Sequence, residues 1–178
     1  AGIRRDEYLD AARDGGALAM IERMAIFAAF EAIAEERQQG RQTRVLVPMD
    51  VSALDAAQRG WLAAETKRRR ADAARLIVEL DADALLAHAD PASVLAPLKE
   101  MGVALAIADR SGSLSRLERL YPLQADLLRL PYAAIASVPT EAFARLLSPW
   151  RAGGRGIIAD QVDRLDAVSR LWDLGIDY

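Results

Sequence analysis

Cysteine is absent from the 178 residues. That excludes disulfide staples and thiolate metal sites, and it suits a reducing compartment without requiring one. Histidine is almost absent: His88 is the only one. Ser-His-Asp catalysis and histidine-cluster metal chemistry are thereby removed. His88 follows a predicted helix and is expected at the surface or as a cap. Lysine is confined to Lys67 and Lys99, so arginine supplies nearly all positive charge. The net charge of −3 offers no global basic field for a nucleic acid. No apolar run reaches the roughly 18 residues needed to span a bilayer; the closest, Ala17 to Ile33, is broken by Glu22, Arg23 and Glu31. No signal-peptide pattern opens the chain.

What is present is an ordinary globular composition, 52% hydrophobic and 28% charged. That balance supports a packed core and not disorder, and the length suits one domain. A helix is predicted from Ala17, where Leu18, Ile21, Ala25, Ala28, Ala29, Ala32 and Ile33 form an apolar stripe that ends at Gly40. A shorter helix over Arg4–Arg13 precedes it, joined through Gly15-Gly16. A pattern then repeats. Short apolar runs at Val45–Met49, Leu76–Leu80, Val103–Ala108, Asp126–Leu130 and Gly156–Ala159 read as strands. Helices are expected over Asp55–Arg70, around Ala84, and over Pro91–Met101, Leu114–Leu120, Thr140–Trp150 and Asp163–Leu174; a sixth strand is expected from Ile176 onward. This alternation is that of βα units around a parallel sheet, either a barrel or an open doubly wound sheet. In both, ligands bind at the C-terminal ends of the strands.

Each predicted strand ends in an ionisable residue: Asp50, Glu79, Asp109, Arg129 and Asp160. Carboxylates converging from several strands can hold Mg²⁺, and two such ions can clamp a phosphodiester and activate water. The same acids can instead be helix N-caps. The segment Ser111-Gly112-Ser113 follows a strand and opens a helix, as phosphate loops do. Gly153-Gly154-Arg155-Gly156 precedes a strand and reads as a turn. Lys67-Arg68-Arg69-Arg70 ends a helix and complements its dipole.

Position by position, the chain resembles an EAL domain, the bacterial cyclic di-GMP phosphodiesterase fold, in a degenerate form. Arg5 to Gly15 resembles the helix after the family's P-x-x-F-I-P-x-A-E, with Tyr8, Leu9 and Ala12 in place. Met49-Asp50-Val51-Ser52-Ala53 resembles V-N-x-S, and Ile77-Val78-Glu79-Leu80-Asp81 resembles the strand bearing E-x-T-E. Ile107-Ala108-Asp109-Arg110-Ser111 stands at D-D-F-G, and Leu128-Arg129-Leu130-Pro131 stands at K-x-D. Ala159-Asp160-Gln161-Val162-Asp163 stands at A-E-G-V-E, and Leu174-Gly175-Ile176-Asp177-Tyr178 resembles the l-G-x-d-y before the family's Q-G. The resemblance implies a TIM-like (β/α) barrel of EAL type, incomplete at both ends. It takes residues 1–178 as one degenerate EAL-like domain, with the strand bearing E-x-L upstream of residue 1 and the C-terminal end beyond Tyr178.

The departures bear on function. The family's asparagine ligand is Asp50, its double aspartate is reduced to Asp109 beside Ala108, and its lysine is Arg129, which cannot act as a base near neutral pH. The aspartate after that lysine is Pro131, and the late glutamate is Asp160. Loss of several members of a metal-and-water network removes charge stabilisation at each. The resemblance therefore implies an inactive cyclic di-GMP receptor, a cytoplasmic signalling module in bacteria, tethered to the inner membrane if an upstream segment carries an anchor. Asp50, Glu79, Asp109, Ser111, Gly112, Arg129 and Asp160 are the expected ligand residues of a vestigial site, with no catalytic residue and no resident cofactor. The alternatives are a protein-interaction scaffold and a residual phosphodiesterase using Mg²⁺ or Mn²⁺. Expected partners are the nucleotide, a protein of a signalling pathway for motility or surface attachment, and a second copy of the chain, but no nucleic acid. Exposure of Trp61, Trp150 or Trp172 is the sign expected of the scaffold.

Overall fold

The computed structural model describes residues 16–163 and 165–176. The helix expected over Arg4–Arg13, the motif residues before Gly16, and the last two residues of the expected sixth strand lie outside them. In chain order the elements are α1 (Leu18–Gln38), β1 (Val45–Met49), α2 (Ala56–Arg68), β2 (Leu76–Asp81), α3 (Ala82–Ala87), α4 (Pro91–Glu100) and β3 (Ala104–Ala108). They continue with α5 (Leu117–Leu120), β4 (Leu127–Pro131), α6 (Tyr132–Ala136), α7 (Thr140–Ala152), β5 (Gly156–Asp160) and α8 (Leu165–Asp173).

The five strands form one sheet in the order β1-β2-β3-β4-β5. Every pairing is parallel, with Val45 opposite Leu76, Ile77 opposite Ala104, Ala106 opposite Leu127 and Leu127 opposite Gly156. Sequential order is that of a β/α barrel; a doubly wound sheet reverses direction at its switch point. The choice left open by periodicity therefore falls to the barrel type.

Side chains alternate across a strand with period two, and here the alternation separates two apolar layers. Leu76, Val78, Leu80, Leu105, Ile107, Leu128, Leu130 and Ile157 face the helices, where they pack with Ile26, Phe30, Leu62 and Trp150. Leu46, Ile77, Ala104, Ala106, Leu127 and Ile158 make a second cluster on the other face. Glu79, Arg129 and Asp160 follow Ile77, Leu127 and Ile158 by two residues, so they share that second face, one layer nearer the C-terminal edge.

Two expectations need correction. On α1 the buried face is Leu18, Glu22, Ile26, Ala29, Phe30 and Ile33, while Ala25, Ala28 and Ala32 face outward. Alanine is too small and indifferent to fix a stripe; the large Ile26 and Phe30 set the rotation. The helix expected over Leu114–Leu120 is a single α turn flanked by 3₁₀ turns at Leu114–Arg116 and Tyr121–Leu123. Helix α6 has no counterpart among the expected elements, because five residues after Pro131 are too few to show a period.

Candidate functional site at the C-terminal edge of the sheet

The acids after strands divide by role. Asp55, Asp81 and Asp90 are N-caps, each accepting backbone N–H groups at the start of α2, α3 and α4. Asp109 and Asp160 are not: the next helices begin at Leu117 and Leu165. Asp50 is intermediate, capping a 3₁₀ turn by accepting from Ser52 N at 2.8 Å and Ser52 Oγ at 2.6 Å.

Arg129 gathers two of the others. Its Nε lies 2.9 Å from Glu79 Oε2 and 3.8 Å from Asp160 Oδ2. The Nε–H is not aimed at the Glu79 oxygen, so that contact is an ion pair and not a hydrogen bond. Glu79 is only 2% exposed and Arg129 20%, so the attraction acts with limited screening by solvent.

Asp109, 1% exposed, organises the neighbouring loop. Its Oδ1 accepts from Ser111 N at 3.1 Å and Ser111 Oγ at 2.7 Å, and Arg116 Nη1 lies 3.3 Å from the same oxygen. Arg116 also reaches Asp83 at 2.7 Å, and the Arg110 guanidinium stands 4.0 Å from Asp81. Ser111 Oγ in turn accepts from Ser113 N at 3.1 Å. Gly112 makes the turn at φ +69°, a conformation that disfavours any side chain. Two of this loop's amides are thus spent on holding its own shape around Asp109. Asp109 N donates to Arg129 O at 2.9 Å, which ties this cluster to the Arg129 pair. Asp109 Oδ2 is buried and has no hydrogen-bond partner among the described residues.

Asp50 is held from the other side. Its backbone N–H donates to Glu22 Oε1 at 2.6 Å, and Gln58 Nε2 approaches Glu22 Oε2 at 3.5 Å. Burial is the main cause that lifts the Glu22 carboxyl to about 7, with the Asp50 charge adding to it; the hydrogen bonds from Asp50 N and Gln58 oppose the rise. Sequence inspection missed Glu22 and Arg116. A signal for Glu22 existed: it stands at helical spacing between Leu18, Ile26 and Ala29, a carboxylate inside an apolar stripe. Arg116 carried none. His88 is exposed at the end of α3, its Nδ1 turned to the Asp90 backbone.

A site for a divalent ion needs several oxygen ligands converging on one point. Among the described residues no group of three or more His, Cys, Asp or Glu side chains does so. A guanidinium lies between Glu79 and Asp160 instead, so the donor set does not fit a divalent ion.

Parallel strands in sequential order with polar residues at their C-terminal edge define a domain of the β/α-barrel class. Within that class the chain belongs to the EAL domain family, whose profile its residues 1–178 match. It is similar to the FimX EAL domain of Xanthomonas citri in complex with c-diGMP, with a TM-score of 0.83 and 17% identity over 100% of this chain and 73% of that one. The PaMucR phosphodiesterase in its c-di-GMP complex superposes with a TM-score of 0.75 at 21% identity, over 98% of this chain and 80% of that one. In sequence, the chain is 24% identical over 174 residues to an uncharacterized 76.5 kDa protein of Thiocystis violacea, covering 97% of this chain and 25% of that protein. The chain thus spans about a quarter of that relative's length. No described helix is long and apolar enough to cross a membrane.

Proposed function

We propose that this domain is a cyclic di-GMP receptor that binds the nucleotide without hydrolysing it. The observation that carries this is the place of the Arg129 guanidinium, between Glu79 and Asp160. A fixed positive charge occupies the position where two carboxylates would otherwise call for a metal ion, and an arginine cannot take a proton from water near neutral pH. The same charge softens the repulsion that unpaired acids would exert on a dianionic ligand. The ligand itself is suggested by the c-di-GMP in the similar FimX and PaMucR structures.

In this reading Arg129 and the half-exposed Arg110 meet the phosphates. Asp109 lies beneath the loop that borders the ligand, and Ser111 and Gly112 keep that loop in shape around it. Asp50 and Asp160 line the edge. Calorimetric titration with cyclic di-GMP in the presence of EDTA is expected to give a saturable signal; no heat at tens of micromolar ligand overturns binding. Turnover of the nucleotide with Mg²⁺ or Mn²⁺, followed by chromatography of the products, overturns the claim of inactivity.

A specific observation favours a second reading, an interaction scaffold. Trp150 is fully buried, but Trp172 is 69% exposed on α8, one side of which also carries Leu165, 91% exposed. A folded chain that gives no heat with nucleotide supports the scaffold instead.

A further inference from the structure

The chain is acidic overall, yet the end of the sheet opposite the candidate site is basic. Arg37 ends α1, and Arg41 and Arg44 lead into β1; Lys67 and Arg68 end α2, and Arg69, Arg70 and Arg75 lead into β2. Contacts bring these segments together. Val45 pairs with Leu76, so Arg44 and Arg75 precede neighbouring strands. Arg75 Nη1 donates to Arg41 O at 3.2 Å. Arg69 reaches Glu31 at 2.6 Å, and Arg37 reaches Asp72 at 2.8 Å, linking α1 to the end of α2.

Around the entries to β1 and β2, eight cations stand with five carboxylates: Glu31, Glu35, Glu36, Glu65 and Asp72. Four of the five are already engaged. Glu31 and Glu65 pair with Arg69, Glu65 also with Arg68, Asp72 with Arg37, and Glu36 with Arg41. Arg44, Lys67 and Arg70 are exposed and form no ion pair among the described residues, and Arg75 spends its guanidinium on neutral acceptors. The local excess is three positive charges in a chain whose net charge is −3. The candidate site's end is correspondingly acidic, with Asp50, Asp81, Asp83, Asp90, Asp109, Asp160 and Asp163 near the strand exits.

We propose that this basic end seats the domain on an anionic membrane surface, with the nucleotide site turned away from it. Cations near a negatively charged leaflet each add to attraction and are screened within about 10 Å at 0.1 M salt. A membrane touches one end only, so the acidic remainder stays beyond the screening length. The surplus is spread over the ends of two helices and two strands, which suits a headgroup layer better than a single acidic peptide. Phe27, 49% exposed with the Arg69 guanidinium 5.1 Å from its ring, adjoins these cations on α1 and supplies an apolar contact.

The test is sedimentation of the whole chain with large vesicles. The protein is expected to pellet with vesicles of phosphatidylcholine containing roughly a third phosphatidylglycerol at low salt, not with phosphatidylcholine alone, and to be released by about 0.5 M salt. Lys67→Glu with Arg70→Glu is expected to weaken vesicle binding at least tenfold; Arg44→Glu, at a separate position, is an independent check should the pair unfold. Nucleotide titration of the same variants is expected to be unchanged, which separates this result from the fate of the receptor reading. Equal pelleting with neutral vesicles, or unchanged binding by the folded charge-reversal variants, overturns the proposal. Tighter binding to a short DNA duplex or to polyglutamate than to the anionic vesicles also overturns it, by assigning the patch to another partner.

Discussion

Glu79 is a carboxylate with almost no access to water, and Arg129 makes its charge tolerable. Removing one partner of such a pair withdraws the opposite charge nearest a buried group, which costs more than the pair itself contributes. Arg129→Met is therefore expected to lower the unfolding free energy by about 2–3 kcal/mol, measured by urea denaturation near pH 7. A loss below about 0.5 kcal/mol would mean that Glu79 is neutralised in another way. Glu22 gives a pH signature. Its native pKa of about 7 lies above the unfolded value near 4.5, so its contribution to stability is fully present below pH 4.5 and is lost as pH rises through 7. The groups that face it are Asp50, which adds to the rise, and Gln58, which opposes it; Arg23 Nε is engaged with Gln58 Oε1 at 2.7 Å. Glu22→Gln is expected to remove a fall in stability of up to about 3 kcal/mol between pH 5 and pH 8. Parallel pH profiles of the variant and the parent chain would contradict it.

At the scale of elements, the joint after β5 is strained, as is the turn at Gln124 before β4. Gln161 has φ +57°, in the left-handed region that side chains disfavour, and its N–H donates to Asp160 Oδ1 at 2.8 Å. The EAL pattern has glycine there. Gln161→Gly is expected to raise stability by about 0.5–1 kcal/mol in chemical denaturation, and a destabilised variant would show that the side chain holds the joint. Much of the element map was legible in the sequence. The strand Val45–Met49 was read with its observed ends, and Gly156–Ala159 fell one residue short. Short β-branched runs between turn residues announce buried parallel strands. The sequence also placed Glu79, Arg129 and Asp160 at strand ends, though not on one face. What could not be read was which charge neutralises which. The reach of Arg129 to Glu79 crosses a strand, and that of Arg116 to Asp109 closes a loop, so neither follows from linear spacing.

At the scale of the molecule, the helical layer is anchored by Trp150, fully buried with its Nε1–H donating to Gly156 O at 3.0 Å. It thereby joins α7 to β5. Trp150→Ala is expected to cost about 3–5 kcal/mol, and the same change at exposed Trp172 less than about 0.5 kcal/mol. A comparable loss at both sites would mean that the α8 face is covered in solution. Such covering would favour the scaffold reading or a second copy of the chain as the partner on that face.

The sequential strand order has a kinetic consequence. Among the described residues, each strand after β1 lies against the one made just before it, so each loop to be closed there spans a single β/α unit. The sheet can then grow by accretion from its N-terminal side while the ribosome is still extending the chain. A doubly wound sheet must wait for its late strands to return beside its first. The cost is a fresh unpaired parallel edge at every stage, open to strands of neighbouring nascent chains. Pulse-labelled hydrogen exchange on stalled chains of increasing length is expected to show protection of β1 and β2 before β4 has emerged.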